Sequence, residues 1–358
     1  MIGRYIVAVV PRGEHVTKRQ RGLCAVGAAA ALTLVACTGG DASPVSTDLG
    51  PVPVTPVPIS KTTTIAPTAD TTPTTQPAPT GWTVDTSTCA DPARAEQPIE
   101  GTVKIGSVMP LSGGPSAAFG PIMDGFQLYL EMASDNGLLP GYKITTDIRD
   151  DQYDATQTAG VVDASITDGA DVFSGIIGSP DNLAVRDKLN HECIPQLEAL
   201  TGSPAWGQIT DYPWTTGALV PYDTEASVYA TKLKELKPGA KVALYSVNSE
   251  LGKAYTDEFK KQAGLLGFEI VDEQTIEPNV YDQPVAQVGS IAGKLPDAII
   301  AIPLGLQCPT FLTELANAKA QNAAWVPLVF MTNTCASKLF FGLAGSAADG
   351  VYTSNNLV

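Results

Sequence analysis

The sequence predicts an α/β fold of two lobes, each with a parallel sheet flanked by helices, and a cleft between the lobes. Three observations lead to this prediction. From Gly101 onward, short apolar runs alternate with segments in which apolar residues recur every three or four positions. Apolar residues make up 44% of the 358 residues, enough for a large core. The alternation breaks once, near residues 215–222, and is too long for one compact sheet.

The first lobe is predicted over residues 101–220. Its first strand is the run VKIGSVM at 103–109, which is rich in apolar and β-branched residues. Its first helix carries apolar residues at helical spacing from Phe119 to Ala133 and ends at Asn136-Gly137. The remaining strands are predicted at 143–148, 171–178 and 194–199, and the remaining helices at 154–167 and from about residue 180.

The second lobe is predicted over residues 221–358 and repeats the pattern. Its helices are predicted at 223–236, 251–265, 281–293 and 309–321, and its strands at 241–246, 268–274, 298–302 and 326–331. Ligands of such sheets bind at the carboxyl ends of the strands. Two Rossmann-like lobes whose strand ends face each other therefore predict a ligand cleft.

The first 36 residues resemble a signal peptide. Basic residues precede an apolar run of about 14 residues, which is shorter than a membrane span and typical of a signal sequence. The run ends in Leu-Val-Ala-Cys, similar to a bacterial lipobox, and this predicts lipidation of Cys37; an ordinary signal peptide with an incidental cysteine is the alternative. Residues 37–100 are predicted to be a tether, since nearly half of residues 38–80 are Pro or Thr and cannot bury a core.

The charge of −15 argues against a nucleic-acid partner, which would require a basic face. The sequence contains neither a dinucleotide fingerprint nor a phosphate-loop motif, so no cofactor is predicted. It shows no nucleophile paired with a base, so an enzyme is not predicted. The nearest candidates are His191 and Asp150-Asp151, but a surface histidine and loop or helix-capping acids explain them better. An extracellular hydrolase on a stalk is the enzymatic alternative.

Four cysteines remain once the signal peptide is removed and Cys37 is lipidated, and four cysteines allow three pairings. Cys308 and Cys335 both follow the carboxyl ends of neighbouring predicted strands. Cys89 and Cys193 both precede strands and belong to the opposite edge of a sheet. This placement predicts disulfides Cys89–Cys193 and Cys308–Cys335. A thiolate metal site is the alternative, but no C-x-x-C spacing supports it, and no metal is predicted.

Several segments of the predicted first lobe resemble one known family when they are taken in order. They are VKIGSVMPLSGG at 103–114 with AFG at 118–120, DDQYD at 150–154, IIGSPDN at 176–182 and TGSPAW at 201–206. Behind a lipobox, this series resembles the type I periplasmic binding proteins, and among them the branched-chain amino-acid group of ABC-transporter substrate-binding proteins. The resemblance covers residues 101–358. It implies that the final part of a usual member is missing and that the second lobe is incomplete.

The resemblance implies an extracytoplasmic solute-binding lipoprotein of an ABC importer. Such a protein captures a small amino-acid-like or apolar or aromatic acid solute between its lobes and delivers it to a permease. The implied partners are the solute, the permease subunits and, through a lipid on Cys37, the outer face of the cytoplasmic membrane; the protein itself would be a monomer. A sensory or regulatory lipoprotein of the same fold, without a transporter, is the alternative.

The resemblance also implies a binding site. Family members hold the ligand carboxylate with hydroxyl and backbone N–H groups at the third and fourth strand ends of the first lobe, which here correspond to Ser179, Asn182, Thr201 and Ser203. Phe119 stands where members present an aromatic ring to the ligand. The expected site is completed by Ser112, Tyr222 and Thr334. Helix capping by Ser179 and core packing by Phe119 are the alternatives.

The second lobe departs from the family pattern. After the predicted strand at 326–331, amino-acid binders carry an acid that meets the ligand ammonium, but this chain has TNTC at 332–335. Leu251 stands where a tyrosine is expected. Since a zwitterion would leave its ammonium poorly paired, an apolar or aromatic acid, an amide or another neutral solute is a better candidate.

Overall fold

The computed structural model describes residues 6–9, 85–113 and 116–355. The apolar run before Cys37, Cys37 itself and most of the predicted tether lie outside these residues. The described amino-terminal elements are strand β1 (Ile6–Val9) and the short helix α1 (Pro92–Ala95). The strand β1 lies within the predicted signal peptide, where the sequence predicts no strand. No helix among the described residues has the length and apolarity needed to cross a bilayer.

The first sheet contains five parallel strands. Its elements in chain order are β2 (Thr102–Met109), α2 (Ser116–Asp135), β3 (Lys143–Asp150), α3 (Ala155–Thr167), β4 (Val172–Ser174), α4 (Ser179–His191), β5 (Gln196–Ala199) and β6 (Thr215–Gly217). The strand order is β3-β2-β4-β5-β6. The chain moves from β2 to one side and then returns to the other, so the order reverses between β2 and β4. In open α/β sheets, ligands bind outside the carboxyl ends of the strands at such a reversal.

The second sheet has five parallel strands and β1 at its edge. Its elements are α5 (Tyr222–Leu236), β7 (Lys241–Val247), α6 (Glu250–Leu266), β8 (Glu269–Ile276), α7 (Val285–Lys294), β9 (Ala298–Ile302), α8 (Gln307–Gln321), β10 (Leu328–Met331), α9 (Lys338–Ala344) and β11 (Tyr352–Asn355). The order is β1-β11-β10-β9-β7-β8, with β1 antiparallel to β11. The central strand β9 is buried along its whole length, as expected for a parallel strand covered on both faces. This sheet reverses its order between β7 and β9.

The sequence predictions agree with most of these elements, and two of the differences have clear local causes. The strand predicted at 171–178 is confined to Val172–Ser174, because Gly175 and Gly178 adopt positive φ angles of 73° and 107°. Only an isolated bridge between Ile177 and Leu200 continues the pairing. The helix predicted at 281–293 begins at Val285, since Pro284 provides its N-cap.

The largest cluster of buried residues joins the two sheets. It combines Met109, Tyr153 and Ile177 from the carboxyl edge of the first sheet with Leu251 and Leu304 from the same edge of the second. Helix α5 contributes its buried face to this cluster. Two further clusters lie on single lobes, one around β4 and α4 and one around β9 and α8. The strand ends that the fold class associates with ligands therefore meet in one packed region.

Both predicted disulfides are present. Cys89 and Cys193 are bonded with a Cα–Cα distance of 5.5 Å, at the amino-terminal edge of the first sheet. Cys308 and Cys335 are bonded with a Cα–Cα distance of 5.7 Å, beyond the carboxyl ends of β9 and β10. These are ordinary distances for a disulfide. The pairing inferred from the order of strands and cysteines is confirmed.

Candidate ligand-binding site

The structure brings two predicted site residues, Ser179 and Thr201, into direct contact. Ser179 is the first residue of α4, and Thr201 lies just after the end of β5. Their hydroxyl oxygens are 2.8 Å apart, and each residue is only 1% exposed. The Thr201 hydroxyl also accepts a hydrogen bond of 3.0 Å from the backbone N–H of Ser203. We call Ser179 and Thr201 the hydroxyl pair.

Two other predicted residues at this edge have their side chains engaged by the protein. The Asn182 amide donates to the carbonyl oxygens of Ile176 and Gly178, both at 2.7 Å, and accepts from the Gln196 amide at 2.8 Å. The Ser203 hydroxyl accepts from the backbone N–H of Ala205 at 3.4 Å and caps the short 3₁₀ helix 204–207. Asn182 thus holds the loop before α4, and Ser203 holds the loop after β5.

Tyr222 packs directly over the hydroxyl pair. Its backbone N–H donates to the carbonyl oxygen of Gly202 at 2.6 Å, and the residue is 2% exposed. A Cβ added to Gly202 would lie 2.5 Å from two ring carbons of Tyr222, so the ring lies against the bare glycine backbone. Burial raises the pKa of the Tyr222 phenol, and hydrogen bonding to the Gly202 backbone, Ser179 and Thr201 lowers it in part. The phenol group of Tyr222 therefore lies beside the hydroxyl pair.

Ser112 and Phe119 lie around the end of β2. The Ser112 hydroxyl donates to Asp150 Oδ2 at 2.5 Å, and the Leu111 backbone N–H donates to Asp150 Oδ1 at 2.9 Å. Burial raises the pKa of Asp150, but these hydrogen bonds outweigh it and leave the pKa below its usual value. Phe119 is stacked with Tyr153 at a centroid distance of 6.1 Å and an interplanar angle of 6°. Ser112 is exposed at this edge, and Phe119 is half-buried beside it.

A pair of buried acids lies beneath the hydroxyl pair. The single hydroxyl of Thr158 is 2.7 Å from Asp151 Oδ2 and 3.1 Å from Asp181 Oδ1. The other carboxylate oxygen of Asp181 is buried and has no hydrogen-bond partner among the described residues. Burial, followed by the charge of Asp151, raises the pKa of Asp181 to about 7. Within the described ranges, no three His, Cys, Asp or Glu side chains gather as a metal site.

Tyr153 connects the buried acids to the second lobe. It follows Asp151 with a positive φ of 60°, and its backbone N–H donates to Asp151 Oδ1 at 3.0 Å. Burial raises the pKa of its phenol well above the usual value, with smaller contributions from Asp181, from Tyr222 and from Tyr281 of the second lobe. Tyr153 is thus an aromatic residue of the first lobe that lies close to second-lobe side chains.

The second-lobe edge is formed by the residues after β10 together with Tyr255 of α6. The Thr332 hydroxyl lies 2.9 Å from the Tyr255 phenol oxygen and 3.3 Å from the hydroxyl of Thr334, a predicted site residue. Tyr255 stacks on Tyr222, with ring centroids 4.9 Å apart. A continuous path of hydroxyl and aromatic groups therefore leads from the hydroxyl pair to the end of β10.

The sequence indicated no carboxylate at the end of β10, but the structure brings one there from α5. Glu225 accepts hydrogen bonds from the phenols of Tyr229 and Tyr255 and, at 2.9 Å, from the backbone N–H of Asn333. Burial raises the pKa of Glu225, which these donors lower in part. The sequence signal was the helical period: Tyr222, Glu225 and Tyr229 lie on one face of α5. An acid on an otherwise apolar face requires partners, and the end of β10 supplies them.

The second lobe contributes apolar side chains at its order reversal. Leu251 follows β7 and Leu304 follows β9, and both are buried in the cluster shared by the two lobes. Gly252 allows α6 to begin directly against β7, since any Cβ there would clash with the carbonyl oxygen of Val247. This second-lobe edge is therefore apolar at β7 and β9 and hydroxyl-lined at β10, whereas the first-lobe edge is polar.

Comparison with known proteins agrees with this architecture. The family profile described as periplasmic binding protein matches residues 102–358. Comparison with curated protein sequences finds no match. Among solved structures, an extracellular ligand-binding receptor from Rhodopseudomonas palustris HaA2 is 23% identical, with a TM-score of 0.59 over 70% of this chain and 66% of that one.

Two further structures resemble the chain to the same degree. A fatty acid ABC transporter substrate-binding protein from Thermomonospora curvata is 21% identical, with a TM-score of 0.61 over 71% of this chain and 63% of that one. A branched-chain amino acid ABC transporter protein from Thermus thermophilus with bound valine is 20% identical, with a TM-score of 0.61 over 69% and 63%. The chain thus spans somewhat less than two thirds of the length of these neighbours. The profile match and the two-sheet fold show that the chain belongs to the type I periplasmic binding protein family.

Proposed function

We propose that this chain is the extracytoplasmic solute-binding lipoprotein of an ABC importer. One observation carries the proposal: the carboxyl edges of both parallel sheets, each at its order reversal, meet in a single cluster that includes Tyr153, Leu251 and Leu304. A solute held there contacts both lobes at once and stabilises their closed arrangement. A permease then recognises the closed form. Structural neighbours that are ABC transporter proteins support the same assignment.

The proposed solute is small and has an apolar body. Its apolar part would lie between Phe119 and Tyr153 of the first lobe and Leu251 and Leu304 of the second, all of which belong to the shared cluster or pack against it. One structural neighbour from Rhodopseudomonas palustris is described in complex with benzoate, and another with 3,4-dihydroxybenzoic acid. Glu225 has three protein donors and is not free to meet a ligand ammonium. This favours an apolar or aromatic solute over a zwitterion.

The proposal also includes the anchor and the lobe boundaries. Residues 1–36 would be removed as a signal peptide, Cys37 would carry the lipid, and residues 37–100 would hold the binding domain away from the outer face of the cytoplasmic membrane. The lobes would be 101–220 and 221–358. Labelling growing cells with a fatty acid analogue tests the anchor: incorporation into the wild-type chain and its loss in Cys37→Ala are expected. Equal labelling of both chains contradicts it.

Thermal melting of the purified chain tests the binding function. We would compare valine, benzoate, benzamide and hexanoate, and expect one of these compounds to raise the melting temperature in a saturable way. A ligand at 100 times its dissociation constant adds about 2.7 kcal/mol to the free energy of unfolding. Phe119→Ala is expected to weaken this effect. Tyr129→Ala is the matched control, because Tyr129 lies on the same helix but is 58% exposed. A cooperative melt that none of these compounds moves argues against the proposal.

A further inference from the structure

The donors that the family resemblance assigns to a ligand are already occupied in this chain. Ser179 and Thr201 share a hydrogen bond of 2.8 Å, and both residues are buried. The ring of Tyr222 lies against the bare backbone of Gly202, the residue after Thr201, and its phenol group lies beside both hydroxyls. Two hydroxyls and a backbone N–H make a typical cradle for a carboxylate. Here an aromatic ring with a polar head, supplied by the protein itself, fills it.

Contacts with Gly202 and Tyr255 hold the Tyr222 ring in place on its two faces. Its backbone N–H is bound to the carbonyl oxygen of Gly202 at 2.6 Å, and its other face stacks on Tyr255 at 4.9 Å between centroids. Tyr255 in turn is bonded to Glu225 and lies 2.9 Å from the Thr332 hydroxyl. Moving the Tyr222 ring out of the cradle would therefore disturb contacts that reach the second lobe. A solute carboxylate would have to displace this whole arrangement to reach the hydroxyl pair.

We propose that Tyr222 is a specificity-determining residue whose phenol closes the hydroxyl pair against a solute carboxylate. The solute then presents an uncharged group, such as an amide, a hydroxyl or an apolar end, to the first lobe. This inference deepens the proposed solute-binding function and rests on it for its biological meaning. Closure of the hydroxyl pair by Tyr222 can be tested without a transporter. The test requires only that the space left by the Tyr222 ring accepts an aromatic carboxylate.

Benzoate is the test compound, because its planar ring and anionic head match the Tyr222 side chain in shape. Thermal melts and calorimetric titrations would compare the wild-type chain with Tyr222→Ala and with the double variant Tyr222→Ala, Ser179→Ala. We expect benzoate to stabilise Tyr222→Ala saturably and to bind it about tenfold or more tightly than the wild type. The double variant should lose most of this gain. Tyr222→Phe keeps the ring and should exclude benzoate as the wild type does.

The outcomes separate this inference from the function on which it rests. Equal stabilisation of the wild type and Tyr222→Ala would overturn it, because the phenol then excludes nothing. Failure of benzoate to bind either chain would also overturn it, since the emptied hydroxyl pair then accepts no carboxylate. If Tyr222→Ala does not fold, Tyr222→Leu keeps apolar packing against Tyr255 while opening the phenol end, and the same comparison applies. Benzoate binding to the variant alone, with no solute moving the wild type, supports this inference and removes the transport proposal.

Discussion

Replacement of Asp181 by Asn tests the electrostatics of the first-lobe edge. Asp181 is buried, one of its carboxylate oxygens has no partner among the described residues, and the other shares the Thr158 hydroxyl with Asp151. The variant keeps the shape of the side chain and removes its ionisation. We expect Asp181→Asn to be more stable than the wild type at alkaline pH.

The magnitude follows from the raised pKa of Asp181. The pKa is about 7 in the folded chain against 3.8 for the unperturbed group. Between these values the unfolded chain loses its proton and the folded chain keeps it, so the wild type loses stability as the pH rises. The whole interval corresponds to about 4 kcal/mol, of which about 3 kcal/mol falls between pH 5 and pH 7. Asp181→Asn lacks this loss, so its advantage over the wild type should grow by that amount.

Melting temperatures of both chains at pH 5 and pH 8 measure this difference. For a chain of this size, 3 kcal/mol corresponds to a change of roughly 6–12 °C in the gap between variant and wild type. Asp154→Asn is the matched control at the same edge. Asp154 is exposed, and the backbone N–H of Thr156 lowers its pKa, so this variant should gain nothing at pH 8. A gap between Asp181→Asn and the wild type that stays the same at both pH values would refute the reasoning.

Three further predictions concern stability. Gly252→Ala should destabilise the chain by more than about 2 kcal/mol, because its Cβ would clash with the backbone between β7 and α6. Gly264→Ala, at an open position of the same helix, should instead stabilise the chain by up to about 1 kcal/mol. Chemical denaturation of both variants measures these changes. Tyr255→Phe should lower the free energy of unfolding by about 1–3 kcal/mol, because Glu225 loses a buried donor. Tyr245→Phe should leave it unchanged, because that buried hydroxyl has no partner among the described residues. Equal losses of stability in a urea titration would contradict this reasoning. Reduction of both disulfides should destabilise the folded chain. The loop-entropy contribution is about 5 kcal/mol for the segment of 104 residues closed by Cys89–Cys193 and about 4 kcal/mol for the segment of 27 residues closed by Cys308–Cys335. Unfolding experiments with and without reductant test this prediction.

The elements and the disulfides could be predicted from the sequence because they depend on local patterns. Alternating apolar periods placed the strands, and the order of strand and cysteine along the chain placed Cys89 with Cys193 and Cys308 with Cys335. The length of one strand was predicted wrongly, because the backbone conformation of two glycines ends a run that its apolar composition would extend. The run at 171–178 is apolar throughout, but positive φ angles at Gly175 and Gly178 end the strand early.

The candidate site was predicted less completely, because its contacts join distant parts of the chain. Ser179 and Thr201 were expected at strand ends and lie there, yet no sequence pattern indicated that the Tyr222 side chain packs against this site. The acid expected after β10 was sought in the loop itself, whereas Glu225 reaches that position from α5, more than 100 residues earlier. Groups that far apart in the chain are brought together only by the tertiary fold.

By itself the sequence determined the two-lobe α/β class, the pairing of the cysteines and the resemblance to periplasmic binding proteins. Each of these depends on spacing along the chain, which composition and periodicity report directly. Only the tertiary structure decided which polar groups remain available to a ligand. The Asn182 amide and the Glu225 carboxylate are engaged by the protein, and Tyr222 covers the hydroxyl pair. The physical reason is that a buried polar group must find a partner, and packing rather than sequence order decides which partner comes within reach.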